Sequence, residues 1–386
     1  MPAGTDLTVT TLVCPETQLH LEPMTIEEAE ERVGRPLVAR TGTPFARTAQ
    51  VLLRSDEGCA YPVLEQGIPV LLRPEMLLPE GTERDWDLSA PQYAEAYTEM
   101  AHYDAVGEAN RRAAEAEGLQ ELERTSDSIR SLAAIAELAP EERIAFPDPE
   151  DVWVDATYDG PAQRDAYRHL APVAGKTVLQ LGGAGTAAVK FLLAGAAEAT
   201  LVSPMPGELF FARYQGEAYG VAERLRLVVA VAEELPFADG SFDVIFSGGS
   251  VHHMETSIAF PECARVLRVG GRFAANDPWR APFYALGTRL FGKREKDVFC
   301  RPLTTARVGP LFDAFDAARV VHHGTFARYP LIALGKLGVV PSRRVLRAVA
   351  EIDDKIASTL RLRRFGSSVA VLSEVAPRSD GGSLSS

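Results

Sequence analysis

Two neighbouring histidines and one aspartate are the side chains best suited to move a proton. His252 and His253 follow one apolar run of the sequence, and Asp277 follows a later one. An imidazole that titrates near neutral pH can remove a proton from a hydroxyl, an amine or an acidic carbon. Asp277 could orient a cationic or hydroxyl substrate. Local hydrogen bonding and helix capping are the alternatives, and we predict His252, His253 and Asp277 as catalytic residues.

A metal centre is a weaker interpretation of the same residues. Together with the pair His322-His323 they could supply imidazole and carboxylate ligands for a transition metal. No spacing typical of metal ligands, such as HExxH, occurs in the sequence. We therefore predict no metal site.

A glycine-rich turn is the second chemical feature. Gly182, Gly183 and Gly185 connect an apolar strand, Thr177–Leu181, to a helical segment, Ala187–Leu193. Such a turn lets backbone N–H groups at a helix N-terminus approach a carboxylate or phosphate of a cofactor. Glycine turns also occur where a strand and a helix simply pack closely, so the turn alone is a weak signal.

The elements around these residues predict an α/β fold. Strand and helix patterns alternate from Lys176 to Asp277, as in a parallel sheet flanked by helices. The run Phe242–Phe246 predicts a buried strand that opens onto Ser247, and ligands of such sheets bind at the carboxyl ends of strands. Before this region, Gln92–Leu138 is rich in Ala, Glu, Arg and Leu and predicts helices.

Composition limits the partners. The 386 residues exceed one compact domain, and the net charge of −13 disfavours nucleic acid. The basic clusters at Arg343-Arg344 and at 361–364 are interpreted as solvated helix faces. No apolar run approaches the roughly 18 to 20 residues of a membrane span, and the polar start lacks a secretory signal. We expect a cytoplasmic protein with a small-molecule substrate, reduced cysteines, and neither a membrane nor a nucleic-acid partner.

Three blocks of the sequence carry a resemblance to a known family. They are Glu233–Ser247, Val251–Met254 and Ala264–Phe273, and in this order they resemble class I S-adenosylmethionine (SAM)-dependent methyltransferases. The resemblance covers about Tyr158 to Asp277. It implies SAM as cofactor and a Rossmann-like sheet of seven strands. The last two strands, at 318–321 and 368–372, would form an antiparallel pair, with residues 329–366 inserted as a lid or dimerisation element.

The resemblance also implies which residues bind the cofactor. They are Gln180, Gly182, Gly183, Gly185, Ser203, Val231, Ala232, Ser247 and Tyr103, with Tyr97 a second candidate for covering the pocket. The family usually has acids at three of these positions, where this chain has Gln180, Ser203 and Val231. A carboxylate binds ribose hydroxyls more strongly than a serine does. Glu208 and Glu233 are nearby carboxylates that could compensate.

The N-terminal segment resembles a second family. Cys14-Pro15 and the run Tyr61–Leu72 are similar to the small zinc-ribbon-like protein that activates certain tRNA and translation-factor methyltransferases. Thr17 stands where a second cysteine is expected, and Cys59 has no partner three residues away. Because a closed zinc site needs four ligands, we predict a metal-free module held together by apolar packing. A substrate-recognition or stabilising domain and a vestigial scaffold are both left open.

These observations predict four regions: a small β-rich module at 1–77, a helical linker or cap at 78–150, the methyltransferase domain at 151–376, and a disordered tail at 377–386. The predicted activity is methyl transfer from SAM to oxygen, nitrogen or carbon of a small molecule, with a specialised metabolite as a candidate substrate and a homodimer as the candidate assembly. Two alternatives stay open: the same fold used for another reaction, and a non-catalytic methyltransferase that acts as a binding partner.

Overall fold

A computed structural model describes residues 12–37, 50–57, 59–64, 67–72, 91–144, 150–156, 159–282, 301–339 and 341–376. The predicted tail at 377–386 lies outside the described residues. The division into four regions therefore stays a prediction at its boundaries, while the elements within them can be compared with the sequence.

The N-terminal module is a three-stranded antiparallel sheet with one helix. Its strands are β1 (Leu21–Thr25), β2 (Gln50–Arg54) and β3 (Ala60–Val63), in the order β1-β2-β3. Helix α1 (Ile26–Val33) follows β1 directly. The Thr25 hydroxyl accepts the Glu28 N–H while the Glu28 carboxylate accepts the Thr25 N–H, so the sequence pattern that predicts the helix start also caps it.

Helices occupy the region between this module and the main sheet. Their bounds are α2 (Pro91–Glu117), α3 (Leu119–Glu123), α4 (Asp127–Glu137), α5 (Pro140–Ile144), α6 (Glu150–Trp153) and α7 (Gly160–Leu170). The proline-free, alanine-rich composition explains the long α2.

The main sheet has seven strands in the order β6-β5-β4-β7-β8-β10-β9. The strands are β4 (Thr177–Leu181), β5 (Glu198–Ser203), β6 (Leu225–Val229), β7 (Phe242–Gly248), β8 (Leu267–Pro278), β9 (Ala317–His323) and β10 (Ser368–Glu374). Strands β4 to β8 pair in parallel, and β10 runs antiparallel to both β8 and β9. The predicted seven-stranded Rossmann-like sheet with an antiparallel final pair is confirmed.

The remaining helices connect these strands. They are α8 (Thr186–Leu193), α9 (Pro206–Ala218), α10 (Thr256–Val266), α11 (Thr305–Ala314), α12 (Arg328–Lys336) and α13 (Arg343–Thr359). Strands β4 and β5 are almost entirely buried because helices cover both faces of a parallel sheet. The carboxyl ends of β4 to β9 and the start of β10 consequently lie along one edge of the sheet, where ligands of such folds bind.

Two elements differ from the sequence prediction. The sequence predicts a turn at Gly270-Gly271 followed by a strand from Arg272, but β8 begins at Leu267. Leu267 pairs with Phe242 and Arg272 pairs with Val244, so the residues between them, including the two glycines, form a bulge inside the strand. The insertion between β9 and β10 begins at Gly324, directly after β9, rather than at residue 329.

The N-terminal module is joined to the main sheet by backbone hydrogen bonds. Val70 pairs in parallel with Val229 at the outer edge of β6. The Leu71 N–H donates to the Val229 carbonyl (2.8 Å), and the Val229 N–H donates to the Pro69 carbonyl (3.0 Å). The end of the module thus covers an edge that would otherwise expose unpaired backbone groups.

Candidate active site and cofactor pocket

The glycine turn after β4 is shaped by close contacts on two sides. Gly182, Gly183 and Gly185 all have positive φ, between 70° and 80°, a conformation that favours glycine. A Cβ atom on Gly182 would lie 2.5 Å from Ser250 Oγ, and one on Gly185 would overlap the side chain of Ala212. The turn after β4 therefore touches the loop after β7, and these glycines are required sterically.

Gln180 holds this turn in place through its side-chain amide. Its Nε2 donates to the Gly182 carbonyl (2.8 Å), and its Oε1 accepts the Ala188 N–H (2.6 Å). A carboxylate could make only the second of these bonds. Gln180 is therefore a brace between the turn and helix α8, which explains an amide at this position.

Gln215 is a second brace that the sequence analysis did not identify. It is fully buried on α9, where its Nε2 donates to the Ala184 carbonyl (2.8 Å) and its Oε1 accepts the Thr186 hydroxyl (2.9 Å). A glutamine in the apolar face of a helix is the signal that could have revealed it, because buried amides need partners.

The end of β5 carries a carboxylate although the strand itself ends in serine. The buried Ser203 hydroxyl donates to Glu208 Oε2 (2.9 Å), and Glu208 lies in the first turn of α9. Glu208 is only 7% exposed. An acid is thus present beside Ser203, displaced along the chain from the position the family resemblance implies.

Helix α2 is packed against the N-terminus of α9. Gly107 and Gly207 face each other so closely that a Cβ on Gly107 would lie 2.5 Å from the Glu208 nitrogen. Asp104 Oδ1 accepts the Gly207 N–H (2.8 Å). Tyr103, one residue earlier, is half-buried and contacts the His102 ring. The side chain of Tyr97 lies outside the described residues.

The residues after β6 supply no acid at the position of Val231. Val231 is half-buried against the apolar core, and Ala232 is buried. Glu233 Oε1 accepts the Glu255 N–H (2.6 Å), and burial raises the pKa of Glu233. Ser247, at the end of β7, donates to the Leu181 carbonyl (3.3 Å). The cofactor roles of Val231, Ala232 and Ser247 stay predictions.

His252 and Asp277 form a buried pair at the ends of β7 and β8. His252 Nδ1 lies 2.8 Å from Asp277 Oδ1, which also accepts the His252 backbone N–H (3.1 Å). Asp277 is 1% exposed. The His253 ring lies 3.8 Å from that of His252, between centroids. In the tautomer that donates from Nδ1, Nε2 of His252 carries the lone pair that can accept a proton.

Arg307 fixes the turn that carries this pair. From α11 it donates to the carbonyls of His252 (3.0 Å) and Met254 (2.8 Å). The sequence analysis did not predict Arg307, because it lies far along the chain and only the fold brings it to this turn.

The ends of β8 and β9 and the adjacent start of β10 carry several buried polar atoms without a hydrogen-bond partner among the described residues. They are Asn276 Oδ1, Asp277 Oδ2, His322 Nδ1 and Ser368 Oγ. Burial, together with the neighbouring His323, lowers the pKa of His322 to about 4, so its ring is neutral at pH 7. That ring packs edge-to-face on Trp279 at 4.7 Å.

His323 is engaged elsewhere. Its Nδ1 lies 2.6 Å from Asp354 and its Nε2 lies 3.1 Å from Asp165. Burial alone lowers the pKa of His323, but the hydrogen bonds to the two carboxylates outweigh it and raise the pKa to about 9. His323 thus links α7 and α13 rather than joining His252. Within the described residues, no group of three or more His, Cys, Asp or Glu is arranged to hold a metal.

The two cysteines of the N-terminal module lie near one tyrosine. Cys14 Sγ is 3.2 Å from Tyr61 Oη. Burial raises the pKa of Cys14, but hydrogen bonds from Thr17 and Tyr61 outweigh it and lower the pKa overall. Burial raises the pKa of Cys59. Cys14 and Tyr61 are fully buried in an apolar cluster shared with the main sheet, while the resemblance to the zinc-ribbon-like activator stays a prediction.

Comparison with known proteins finds similarity in the central segment of the chain. Residues 179–275 match the family described as a methyltransferase domain. A ubiquinone/menaquinone biosynthesis C-methyltransferase from Dinoroseobacter shibae is 41% identical over 123 residues, 31% of this chain and 46% of the relative. A malonyl-[acyl-carrier protein] O-methyltransferase from Methylococcus capsulatus is 38% identical over 146 residues, 33% of this chain and 51% of the relative. The chain spans about half the length of the curated relatives it matches.

Similar solved structures include geranyl diphosphate C-methyltransferase from Streptomyces coelicolor, in complex with Mg²⁺, geranyl-S-thiolodiphosphate and S-adenosyl-L-homocysteine. It is 15% identical, with a TM-score of 0.41, covering 62% of this chain and 81% of that one. YcgJ from Bacillus subtilis is 22% identical, with a TM-score of 0.39, covering 57% of this chain and 98% of the other.

The described helices include none long and apolar enough to cross a membrane.

The strand order of the sheet and the match over residues 179–275 point to the same class of protein. Residues 179–275 are therefore similar to a methyltransferase domain, and they lie within a seven-stranded sheet of Rossmann-like topology.

Proposed function

We propose that the chain is a SAM-dependent methyltransferase that acts on oxygen, nitrogen or carbon of a small molecule, with His252 as the proton acceptor. The observation that carries the proposal is the contact between two loops. The turn expected to hold the cofactor touches Ser250, two residues before His252. Cofactor and base would therefore meet at one point of the sheet edge.

The residues present fit the cofactor. The turn from Gly182 to Gly185 leads into the N-terminus of α8, which suits the carboxylate of SAM. Glu208 offers a buried carboxylate for the ribose hydroxyls, in place of the acid that β5 lacks. The adenine would lie near Val231 and Ala232. Tyr103 and Ser247 complete the proposed set, along with Gln180, Gly183 and Ser203 as supports of the turn and of Glu208.

When bound, SAM supplies a methyl group already activated by its positively charged sulfur. The protein must align the acceptor, exclude water and take up a proton where the acceptor releases one. His252 Nε2 would take that proton, and Asp277 Oδ1 would hold the ring and stabilise its protonated form. Asp277 Oδ2 and Asn276 Oδ1 would accept hydrogen bonds from hydroxyl or amine groups of the acceptor. His253, stacked on His252, would support the ring.

Several parts of the proposal rest on the relatives. Those with printed activities include both C- and O-methyltransferases, so the acceptor atom is left open. Among the similar structures, one carries a geranyl diphosphate analogue, which supports a small-molecule acceptor. A cytoplasmic location belongs to the same proposal. The hydrogen bonds of the N-terminal module to β6 support a stabilising role for it.

The first test is isothermal titration of the purified chain with SAM and with S-adenosylhomocysteine. Micromolar binding of both is expected and would justify a screen of hydroxyl, amine and activated-carbon acceptors. Absence of binding up to millimolar ligand would contradict the proposal. With an acceptor in hand, His252→Gln should abolish transfer while leaving SAM affinity unchanged, and Gln120→Glu, on the exposed face of α3, serves as a surface control.

A further inference from the structure

The insertion between β9 and β10 has an unusual surface. Thirteen large apolar side chains are exposed among the described residues, and eight of them lie between Phe326 and Leu360. These eight are Phe326, Leu334, Leu337, Val339, Val345, Ile352, Ile356 and Leu360. Single exposed apolar residues are normal, but such a concentration marks an interaction surface.

Helix α13 shows why these side chains remain exposed. Leu346, Asp353 and Ala357 are buried against the domain. A neighbouring stripe is formed by Val345, Ile352 and Ile356, at spacings of seven and four residues that define one helix face. These side chains are 49%, 58% and 46% exposed. The apolar face of α13 is thus wider than the part of that face that packs against the domain.

The insertion is held to the domain by two contacts that lie away from the apolar stripe. Asp354 bonds His323 on β9 (2.6 Å), and Arg328 pairs with Asp159 before α7 (3.0 Å). Within the insertion, Asp353 accepts the Phe326 N–H (2.9 Å). The apolar stripe is therefore presented by an anchored helix.

The charge of the insertion is opposite to that of the rest of the chain. Residues 324–366 contain nine Lys and Arg and three Asp and Glu, a net charge of +6 within a chain whose net charge is −13. The exposed cations include Arg344, Lys355 and Arg361. A helix that combines an exposed apolar stripe with flanking Lys and Arg is suited to the interface of an anionic bilayer.

We propose that the insertion 324–366 binds the surface of an anionic phospholipid bilayer, with the stripe of α13 among the acyl chains and the cations at the headgroups. This proposal revises the expectation, drawn from the sequence, that no membrane partner exists. Two copies of the insertion would each bring a charge of +6 to a shared interface, which disfavours self-association. A nucleic acid would satisfy the cations but would leave the aliphatic stripe in water.

The test is co-flotation of the full chain with vesicles of phosphatidylcholine alone and with vesicles that also contain phosphatidylglycerol. We expect binding to the anionic vesicles and its loss at high salt. Ile352→Ser with Ile356→Ser should abolish it, while Ile258→Ser with Val269→Ser, at comparably exposed sites elsewhere, should not. Arg344→Gln with Arg361→Gln should weaken partitioning about tenfold or more, whereas Arg112→Gln with Arg124→Gln should leave it unchanged.

Four outcomes would overturn the proposal. Failure to float with any vesicle would exclude a bilayer, and a dimer in light scattering that Ile352→Ser with Ile356→Ser dissociates would assign the stripe to a second copy. Binding to a DNA duplex but not to vesicles would assign the cations to nucleic acid. Equal binding by both isoleucine-substituted and control variants would place the contact elsewhere. SAM titration of every variant keeps this result separate from the proposed activity.

Discussion

The two halves of the sheet edge differ in whether their buried polar groups have hydrogen-bond partners. At the ends of β4 and β5, Gln180, Ser203 and Gln215 all bond other protein groups. At the end of β8 and the start of β10, Asp277 Oδ2, Asn276 Oδ1 and Ser368 Oγ are buried without a partner among the described residues. The cofactor half is complete as a scaffold, whereas the acceptor half retains hydrogen-bonding capacity.

The difference between the two halves has a cost in free energy of folding. A buried polar atom left without a partner costs about 1–3 kcal/mol. A ligand that donates hydrogen bonds to Asp277 and Asn276 would recover that cost, so the proposed acceptor half would favour a substrate that carries hydrogen-bond donors. In the cofactor half, the buried polar side chains form hydrogen bonds that fix the shape of the glycine turn. Substitutions in the two halves should consequently change different quantities.

After the complete loss of transfer expected for His252→Gln, the largest effect is expected for Asp277→Asn. The amide keeps the shape but removes the charge that stabilises a protonated His252, so the turnover rate should fall about 10²- to 10⁴-fold. SAM affinity should stay within about twofold of the parent, because Asp277 lies in the acceptor half. Steady-state kinetics and titration measure the two quantities, and Asp239→Asn at an exposed site is the control. A parallel loss of SAM affinity would break the distinction between the halves.

Gly185→Ala tests the cofactor half. The new methyl group would overlap Ala212 while the backbone keeps a positive φ, which should destabilise the turn by about 2–4 kcal/mol and reduce SAM affinity accordingly. Titration and thermal melting measure both effects.

Gly175→Ala is the matched control, because Gly175 has a similar φ of 72° with open space around its Cα. It should show only the smaller cost of the backbone conformation and no loss of SAM affinity. Equal effects of the two substitutions would mean that steric contact at Gly185 is unimportant.

His323 gives the acceptor half a pH-dependent anchor. Its pKa in the folded protein, about 9, lies above its ordinary value of 6.5. The resulting stabilisation is complete below pH 6.5 and is lost as the pH rises through 9. At about 1.4 kcal/mol per pKa unit it amounts to roughly 3 kcal/mol.

Chemical denaturation between pH 6 and pH 10 measures this loss. Among the described residues, Asp165 and Asp354 bond His323, the His322 ring interacts with it electrostatically, and Arg363 lies 4.0 Å from Asp354. His323→Gln should flatten the decline, whereas His20→Gln on the N-terminal module should not. A decline that persists in His323→Gln would assign the pH dependence to another group.

Gln180→Glu should have the smallest effect. The carboxylate loses the bond to the Gly182 carbonyl and is repelled by it, which should lower the free energy of unfolding by about 1–2 kcal/mol. Thermal melting measures this change, with Gln120→Glu as a charge-matched surface control. Tighter SAM binding in Gln180→Glu would show that the position acts as a cofactor acid rather than a brace.

Much of the fold follows from local sequence patterns. The apolar strands, the glycine turn, the Thr25 cap and the helix-rich region before the sheet are all recognisable because backbone conformation and burial depend on residues within one element. The site was predicted less completely. His252 and Asp277 were predicted separately, but Gln215, Arg307 and Asn276 were not. Gln215 had a signal in the apolar face of α9, whereas nothing in the neighbouring residues marks Arg307 or Asn276.

The parallel sheet, the histidines and the carboxylate at strand ends, and the absence of acids at Gln180, Ser203 and Val231 follow from the amino-acid sequence. The tertiary structure is needed to show that Asp277 bonds His252 while His323 bonds Asp165 and Asp354. It is also needed to show that Glu208 brings an acid beside Ser203. The physical reason is that hydrogen bonds between distant segments depend on which strand ends and helix termini the topology brings together, and this information is not present in any single stretch of the chain.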